Sequence, residues 1–439
     1  METYFDFKNQ KTDFKTEVIA GITTFLATMY IIVVNPAILQ NTGMPFSGVL
    51  TATVLVSAFT SIAMGIYAKN PIVLAPGMGI NAFFTYSVVL GMGVKWEVAL
   101  GTVFWSGVIF ILLSVFNIRT HILKAIPRQL RFAIASGIGL FITFIGFVNA
   151  KFIVDNPATL VSIGKIDSVG ITFLVGLIIT SLLVIKRVKG ALILGIAITT
   201  LLAIPIGRLY GDASAINFGK ATLVTWNGIS SWPDLSIIMK LDFISSLQFA
   251  LWPVIFAFLF TDMFDSISTF IGVAEAADLI DKNGDPNRIK ESLIVDAFGT
   301  MISGPLGTSS ATSYIESATG VEEGGRTGLT AIVAGLLFLP FMFFSPLLSI
   351  VPSIATAPAL ILVGVFMMKP VIKINWTKFD DAIPAFFGMV LIPLTYSITQ
   401  GIIWGFISWT IIKLAIGKRE EVSWMLIVID VLAVITLVI

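Results

Sequence analysis

The chain has 439 residues, of which 56% are hydrophobic and 12% are charged, and its formal net charge at pH 7 is +1. So little charge cannot cover the surface of a soluble protein of this size. The long apolar runs therefore indicate an integral membrane protein built of helices rather than a barrel.

Chemistry based on cysteine or histidine is excluded by composition. The sequence has no cysteine, and its one histidine, His121, lies in a basic loop, so no metal site and no cofactor are expected. A net charge near zero gives no reason to expect a nucleic-acid partner. The polar N-terminal segment does not have the pattern of a cleavable signal peptide.

Fourteen apolar segments in chain order predict fourteen membrane spans. Several are shorter than the roughly 20 residues that a full crossing needs, and a last apolar run, 423–439, is short for a span. The predicted spans are 17–40, 48–68, 72–92, 97–117, 130–150, 168–185, 190–207, 244–272, 289–304, 306–320, 326–346, 349–369, 382–397 and 399–416.

The distribution of lysine and arginine supports this count. With the N-terminus in the cytoplasm, 21 of the 27 basic residues fall on the cytoplasmic side. The prediction is a multi-pass protein of the plasma membrane with a cytoplasmic N-terminus. The six basic residues on the external side are Lys95, Lys151, Lys165, Arg208, Lys220 and Lys240.

A long external stretch, 208–242, separates seven spans from seven, so the second half is predicted to be inverted relative to the first. Inverted repeats are typical of secondary transporters. Pro76 and Pro305 interrupt the third span of each half, with glycines close behind. We expect residues 73–79 and 305–311 to be extended and close together at mid-membrane, each followed by a short half-helix. Kinked structural helices are the alternative.

Polar residues within the predicted spans lie next to these interruptions. Asp262 and Asp265 share one face of span eight, Asn81 begins the half-helix of span three, and Glu316 is placed two turns into the half-helix of span ten. Asp296 lies on span nine. An acidic residue at the centre of a span costs about 2.5–3.5 kcal/mol on insertion. We therefore expect these groups to face a wet or ligand-filled cavity, or to be protonated.

Structural roles for some of these residues stay open. Asp265 and Asn81 could cap broken helices, and Asp296 could be a structural partner because it lies one span away. The aromatic residues beside the breaks are expected to pack, with base stacking as the lesser alternative; they are Phe83, Phe84 and Phe264.

Three stretches, "APGMGINAFFTY", "FTDMFDSIST" and "GTSSATSYIESATGVEEGGRTG", resemble the AzgA-like branch of the nucleobase–ascorbate transporters, which are permeases for adenine, guanine and hypoxanthine. The resemblance covers nearly the whole chain. It implies an all-α polytopic fold of two inverted seven-span repeats, with short antiparallel strands in spans three and ten. The implied domains are a core at 1–125 and 243–347, a gate at 126–210 and 348–418, an external connector at 211–242 and a C-terminal apolar segment at 419–439.

By its motifs, the resemblance places substrate binding on Asn81, Asp262 and Glu316, with Asp265 close by. Proton coupling is expected on Asp262 and Asp265, because this chain lacks the span-eight histidine of some relatives. Small residues at the two breaks let the backbone approach a ligand and complete the predicted site; they are Gly79, Ser309 and Ser310.

A purine suits this set of groups because its edges carry N–H donors and ring or carbonyl acceptors. The Glu316 carboxylate could accept two N–H bonds, and the Asn81 amide could donate and accept. The predicted function is import of purine nucleobases with protons rather than sodium, by a protein that is not an enzyme and that forms homodimers as relatives do. The alternatives are an anion transporter or channel on the same fold, a nucleobase receptor that does not transport, and, least favoured, an intramembrane hydrolase.

Overall fold

A computed structural model describes residues 2–116, 126–210, 228–277, 288–424, 426, 427, 430, 431 and 434. The expectations for His121, for connector residues 211–227 and for most of the run 423–439 lie outside the described residues. Within these ranges the chain is mostly helical, as its composition predicts.

The first part of the chain forms helices around one three-residue strand. Helix α5 widens into a π-helical continuation at Phe83–Gly91, and α4 does the same at Met64–Ala68. The elements are α1 (Glu2–Phe5), α2 (Phe14–Thr28), α3 (Ile31–Leu39), α4 (Phe46–Ala63), β1 (Leu74–Pro76), α5 (Met78–Ala82) and α6 (Trp96–Val115).

The next part contains three long helices and a hairpin. The sequence predicted no strands here, but an exposed antiparallel hairpin joins the first helix to the second, with Ile153 paired to Ile163. The elements are α7 (Arg128–Asn149), β2 (Ile153–Asn156), β3 (Leu160–Ile163), α8 (Ser168–Ile185) and α9 (Ala191–Tyr210).

The second half begins with two short 3₁₀ turns, Ser245–Leu247 and Phe249–Leu251, before its first long helix. Two further 3₁₀ segments, Leu339–Phe343 and Lys369–Lys373, extend later helices. The elements are α10 (Trp252–Ala277), α11 (Ile289–Leu306), β4 (Ala311–Ser313), α12 (Ser317–Glu322), α13 (Gly328–Phe338), α14 (Ser345–Leu348), α15 (Ser353–Met367), α16 (Phe379–Thr395) and α17 (Ile398–Ala415).

Eight helical stretches in the described ranges are long and apolar enough to cross a membrane. Other predicted spans are too short or too charged to be counted, for reasons that are local to each segment. Predicted spans three and ten are each divided into a strand and a short helix, and α11 carries Lys290, Glu291 and Asp296. The eight are Phe14–Thr42, Phe46–Ala68, Trp96–Val115, Arg128–Asn149, Ser168–Ile185, Phe249–Ala274, Ser353–Lys373 and Ile398–Ala415.

The strands β1 and β4 pair antiparallel in the interior of the protein. Their register sets Leu74 opposite Ser313 and Pro76 opposite Ala311, and all six strand residues are buried. The Gly77 amide extends the pairing by donating to the Ser310 carbonyl at 3.0 Å. The expected approach of two extended segments is therefore found, although α5 begins at Met78, before the predicted end of the first extended segment at residue 79.

The prediction that residues 305–311 are extended is wrong for 305–309, because the strand begins only at Ala311. Pro305 lies inside the last turn of α11. The last helical residue is Leu306, and Gly307 caps the helix. Gly307 has a φ of 93°, and its amide donates to the carbonyls of Ser303 and Gly304, both at 3.0 Å. The glycine, which adopts this left-handed conformation without strain, ends the helix. Pro76 ends a strand instead, so the two prolines are not in equivalent positions.

Two groups of helices pack mainly within themselves. In the first group, α6 packs on α11, and α13 packs on α2 and α4. In the second, α7 packs on α15 and α16, α16 on α17, and α9 on α8 and α15. A glycine pair permits the α7–α15 contact, since a Cβ added to Gly139 would lie 2.7 Å from the Gly364 carbonyl oxygen. Small residues at such crossings are typical of helices packed in lipid.

Candidate functional site

The site forms where two short helices begin beside the β1–β4 pair. Helix α5 follows β1 after one residue, and α12 follows β4 after a turn at residues 314–316. The long helix α10 passes the strands, and its Ser266 hydroxyl lies 2.9 Å from the hydroxyl of Thr312. Non-helical backbone at this depth is stable because it is buried in protein and its strands pair with each other.

Asn81 lies at the centre of a buried amide network. Its Nδ2 donates to Asn35 Oδ1 at 3.1 Å, and the Asn35 amide donates to Thr53 at 2.7 Å and to Thr308 at 2.8 Å. The Asn81 Oδ1 is buried and accepts no hydrogen bond from the described part of the chain. Gly77 is the residue before α5, so the alternative that Asn81 caps its half-helix is wrong.

Asp262 is fully buried on α10 and accepts hydrogen bonds from two hydroxyls. One comes from Thr300 on α11, and the other comes from Ser310 at 3.1 Å, just before β4. The Ser310 hydroxyl also lies 2.9 Å from Thr300 Oγ1. Asp262 therefore joins α10, α11 and the start of β4 at one point.

Glu316 immediately precedes α12, so its predicted place two turns into the half-helix is wrong. The reason is that the extended segment runs to Ser313 and a turn follows, in which the Ser317 amide donates to the Tyr314 carbonyl at 3.1 Å. The half-buried Glu316 side chain accepts a hydrogen bond from the Tyr30 hydroxyl at 2.8 Å on Oε1. It forms no ion pair with a described residue.

Of the other predicted residues, Ser310 and Asp265 lie near Asp262, whereas Ser309 and Gly79 do not join its hydrogen-bond cluster. Ser310 is part of the Asp262 cluster, and the half-buried Asp265 lies one helical turn from Asp262 on α10. Ser309 is buried, but its hydroxyl has no partner among the residues described. Gly79 packs against α7 instead, because a Cβ there would lie 2.3 Å from Ile138 Cγ2.

Tyr30, Asn35 and Thr300, which bond to Glu316, Asn81 and Asp262, were not found from the sequence. A weak signal existed for Asn35, which is the one amide in the apolar run of α3, IIVVNPAIL. Tyr30 and Thr300 carry no such signal, because tyrosine and threonine are ordinary residues in apolar helices. Only the tertiary contacts identify them.

A cavity of about 590 Å³ lies between the continuation of α5, the first turns of α10 and the α16–α17 junction. Its wall is mostly apolar and includes Phe83, two residues after Asn81, and Phe260, two residues before Asp262. Phe83 itself packs edge-on against Phe258, with ring centroids 4.9 Å apart. The cavity wall includes Phe83, Tyr86, Phe260, Tyr396, Gln400 and Phe406.

One acidic cluster away from the strands has the spacing of a metal site. The carboxylates of Asp380, Asp381 and Glu421 lie within 4.8 Å of one another. The buried ammonium of Lys413 already lies among them, 2.7, 2.6 and 2.7 Å from the three carboxylates. The position of a cation is therefore taken by a side chain, and the cluster does not fit a metal ion in this arrangement.

Long apolar helices surround two broken segments, each made of a strand and a short helix, and buried polar groups lie at the breaks. This arrangement defines a multi-pass membrane transporter. The fold agrees with solved transporter structures. The transmembrane domain of a cyanobacterial bicarbonate transporter, BicA, has a TM-score of 0.66 at 14% identity and covers 89% of this chain and 97% of its own. The murine anion transporter Slc26a9, solved in its inward-facing state, has a TM-score of 0.60 at 10% identity, covering 93% and 69%.

Residues 15–403 match the model of the Permease family (Xan_ur_permease), and the chain belongs to this family. It is 42% identical to the adenine permease AdeP of Escherichia coli, across 100% of this chain and 96% of AdeP. It is 41% identical to the guanine/hypoxanthine permease PbuO of Bacillus subtilis, across 99% of both chains. It is also 34% identical to the nucleobase transporter PlAzg2 of Paenibacillus larvae, across 91% and 78%. The resemblance found in the three motifs is confirmed, and the protein is a permease rather than an enzyme.

Proposed function

We propose that this permease imports purine nucleobases by proton symport and that Asn81, Asp262 and Glu316 contact the base. The observation that carries the proposal is the pairing of β1 with β4. Asn81 lies on the half-helix that follows β1, Glu316 lies in the turn that follows β4, and Asp262 bonds to Ser310 beside the pair. Relatives named as adenine and as guanine/hypoxanthine permeases, 41–42% identical over nearly their whole length, support a purine substrate.

The chemistry of the cluster supports recognition of a flat, polar-edged ring. Asn81 Oδ1 is a buried acceptor without a partner among the described side chains, and such an atom gains a full hydrogen bond when a ligand N–H reaches it. Glu316 supplies a second acceptor immediately before the other half-helix. The cavity whose wall includes Phe83 and Phe260 offers apolar surface for the ring faces. Nucleosides should be rejected, because a ribose adds bulk beside two closely paired strands.

We infer fourteen spans in two inverted repeats, with a core at 1–125 and 243–347 and a gate at 126–210 and 348–418. The grouping of helix contacts supports this division, because α7, α8, α9, α15, α16 and α17 pack mostly on one another. The cavity between α5, α10 and the α16–α17 junction lies where the two groups meet. The proposed location is the plasma membrane with a cytoplasmic N-terminus, as the distribution of basic residues predicts.

Proton coupling is assigned to Asp262 and Asp265. They lie one turn apart on the uninterrupted helix α10, and Glu316 adds a third carboxylate nearby. A carboxylate can carry a proton, and two carboxylates one turn apart on a helix titrate as a coupled pair. Binding and release of that proton during transport would couple purine uptake to the proton gradient.

The test is uptake and counterflow of labelled adenine, guanine and hypoxanthine in proteoliposomes of the purified protein, with and without an inward proton gradient. We expect purine accumulation driven by the gradient, and little uptake of uracil, uridine or sulfate. Sulfate or bicarbonate transport without purine transport would favour the anion alternative. The likeness to BicA and Slc26a9 does not favour it now, because at 10–14% identity that likeness shows the fold alone. Purine binding without counterflow would indicate a receptor.

A further inference from the structure

We propose that Tyr30 is a positioning residue that sets which oxygen of Glu316 is presented to the ligand, and so controls how strictly one N–H edge of the base is read. The inference rests on the proposed purine function. It begins from the 2.8 Å hydrogen bond that the Tyr30 hydroxyl donates to Glu316 Oε1, across 286 residues of sequence.

Tyr30 occupies a rigid position. It lies at the interruption between α2, which ends at Thr28, and α3, which begins at Ile31, and only 1% of its surface is exposed. Its ring packs beside that of Tyr314, with centroids 6.4 Å apart. The Tyr314 hydroxyl in turn donates to the Pro76 carbonyl at 2.6 Å, which fixes this second ring to the end of β1.

The consequence is that the two oxygens of Glu316 are not equivalent. Oε1 accepts the hydrogen bond of the Tyr30 phenol, whereas no other described residue donates a hydrogen bond to Oε2. The carboxylate that the sequence predicted to accept two N–H bonds from a base therefore presents one open oxygen in a fixed direction. Glutamate has several rotatable bonds, so without the hydroxyl the carboxylate could turn either oxygen, or both, toward a ligand.

A fixed acceptor and a mobile acceptor differ in selectivity as well as in affinity. A fixed Oε2 binds a ligand with an N–H at one edge position more tightly. When that N–H is methylated, the acceptor is left without a hydrogen bond and the affinity falls. A mobile carboxylate binds every purine less tightly and discriminates less between edges. The effect of Tyr30 should therefore appear in the ratio of affinities for a base and its methylated derivatives.

The experiment measures dissociation constants of purified full-length protein for adenine, hypoxanthine and their N-methyl derivatives. Tyr30→Phe removes the hydroxyl and keeps the ring. We expect purine affinity to fall about tenfold, as for loss of a hydrogen bond to a charged group. We also expect the largest methylation penalty of the parent to shrink at least threefold. Tyr67→Phe is the matched control, because Tyr67 is 55% exposed, and it should leave both values unchanged.

A second variant keeps the test informative if Tyr30→Phe does not fold. Glu316→Asp shortens the side chain by one methylene, which breaks the same hydrogen bond from the other partner and should reduce the same penalty. The double variant should lose little more than Glu316→Asp alone, because the shorter side chain has already lost the hydrogen bond that Tyr30→Phe removes.

An unchanged methylation penalty in Tyr30→Phe, or fully additive losses in the double variant, would leave Tyr30 with a packing role only. Failure of the parent to bind any purine would instead overturn the proposed function, and this inference with it.

Discussion

Glu17 and Thr330, 313 residues apart in sequence, are joined by a 2.6 Å hydrogen bond from the threonine hydroxyl to the glutamate carboxylate. The same buried carboxylate accepts from the backbone amides of Arg326 at 2.8 Å and Thr327 at 3.1 Å, and from that of Thr330 at 3.2 Å. Glu17 therefore satisfies the open amides at the start of α13 and ties α2 to the loop that follows α12. The last part of the motif, "GGRTG", is a structural anchor rather than part of the site.

Replacing Glu17 with glutamine should destabilise the protein. The amide NH₂ would face backbone donors that the carboxylate now satisfies, and each unmet buried group costs about 1–3 kcal/mol. We expect a clearly lower midpoint of thermal unfolding in detergent for Glu17→Gln. Glu322→Gln is the control, because Glu322 is exposed at the end of α12. Equal midpoints for the two variants would contradict this role.

Gly79 is expected to act through packing, although the sequence predicted contact with substrate. Its missing Cβ would lie 2.3 Å from Ile138 Cγ2, so Gly79→Ala should push α5 away from α7 at a cost of about 1–3 kcal/mol and reduce purine uptake. Ile138→Ala opens the same space and should restore uptake in the double variant, measured at matched membrane levels. If the second substitution does not restore uptake, Gly79 acts through its backbone contact with the ligand.

Substitutions of Glu316 and Asp262 should impair different steps of transport. Glu316→Gln replaces one of two acceptor oxygens with an NH₂. When the amide oxygen accepts from Tyr30, the NH₂ meets the N–H of the base, donor against donor, so purine affinity should fall at least tenfold. Asp262→Asn keeps one oxygen for the hydroxyls of Thr300 and Ser310 but cannot bind and release a proton. It should bind purine more weakly and lose accumulation driven by a pH gradient.

The measurements for this pair are equilibrium purine binding and gradient-driven uptake, with both variants at matched membrane levels. Normal binding by Glu316→Gln would remove Glu316 from the site. Accumulation against a gradient by Asp262→Asn, at the level of the parent, would move proton coupling to another residue.

Lys413 should contribute more to stability than its neighbour Lys418. Lys413 is fully buried among three carboxylates and lies 4.4 Å from the Trp409 ring, whereas Lys418 is 39% exposed and pairs with Asp380 alone among the described residues. Removing one partner of a buried ion cluster costs about 3–5 kcal/mol, against about 0–1 kcal/mol at the surface. Lys413→Met should therefore lower the thermal midpoint much more than Lys418→Met does, and similar shifts would show that the cluster is not a stabilising unit.

The bounds of some helices followed closely from the sequence, because hydropathy and helix breakers act locally. Predicted span six, 168–185, coincides with α8, and predicted span fourteen, 399–416, differs from α17 by one residue at each end. The same local rules indicated that spans three and ten are interrupted. They misplaced the second interruption, because a proline in the last turn of a helix does not end it, and Gly307 does.

The sequence by itself therefore determined a membrane transporter with two broken spans and acidic groups beside them. The acidic groups were recognisable because burying charge in lipid is costly wherever it occurs. The partners of those groups were decided by the tertiary structure. Tyr30 meets Glu316, Glu17 meets Thr330, and Thr300 meets Asp262 across 286, 313 and 38 residues. A hydrogen bond forms only between atoms that packing brings within about 3 Å, and no local pattern in this chain records which distant helices pack together.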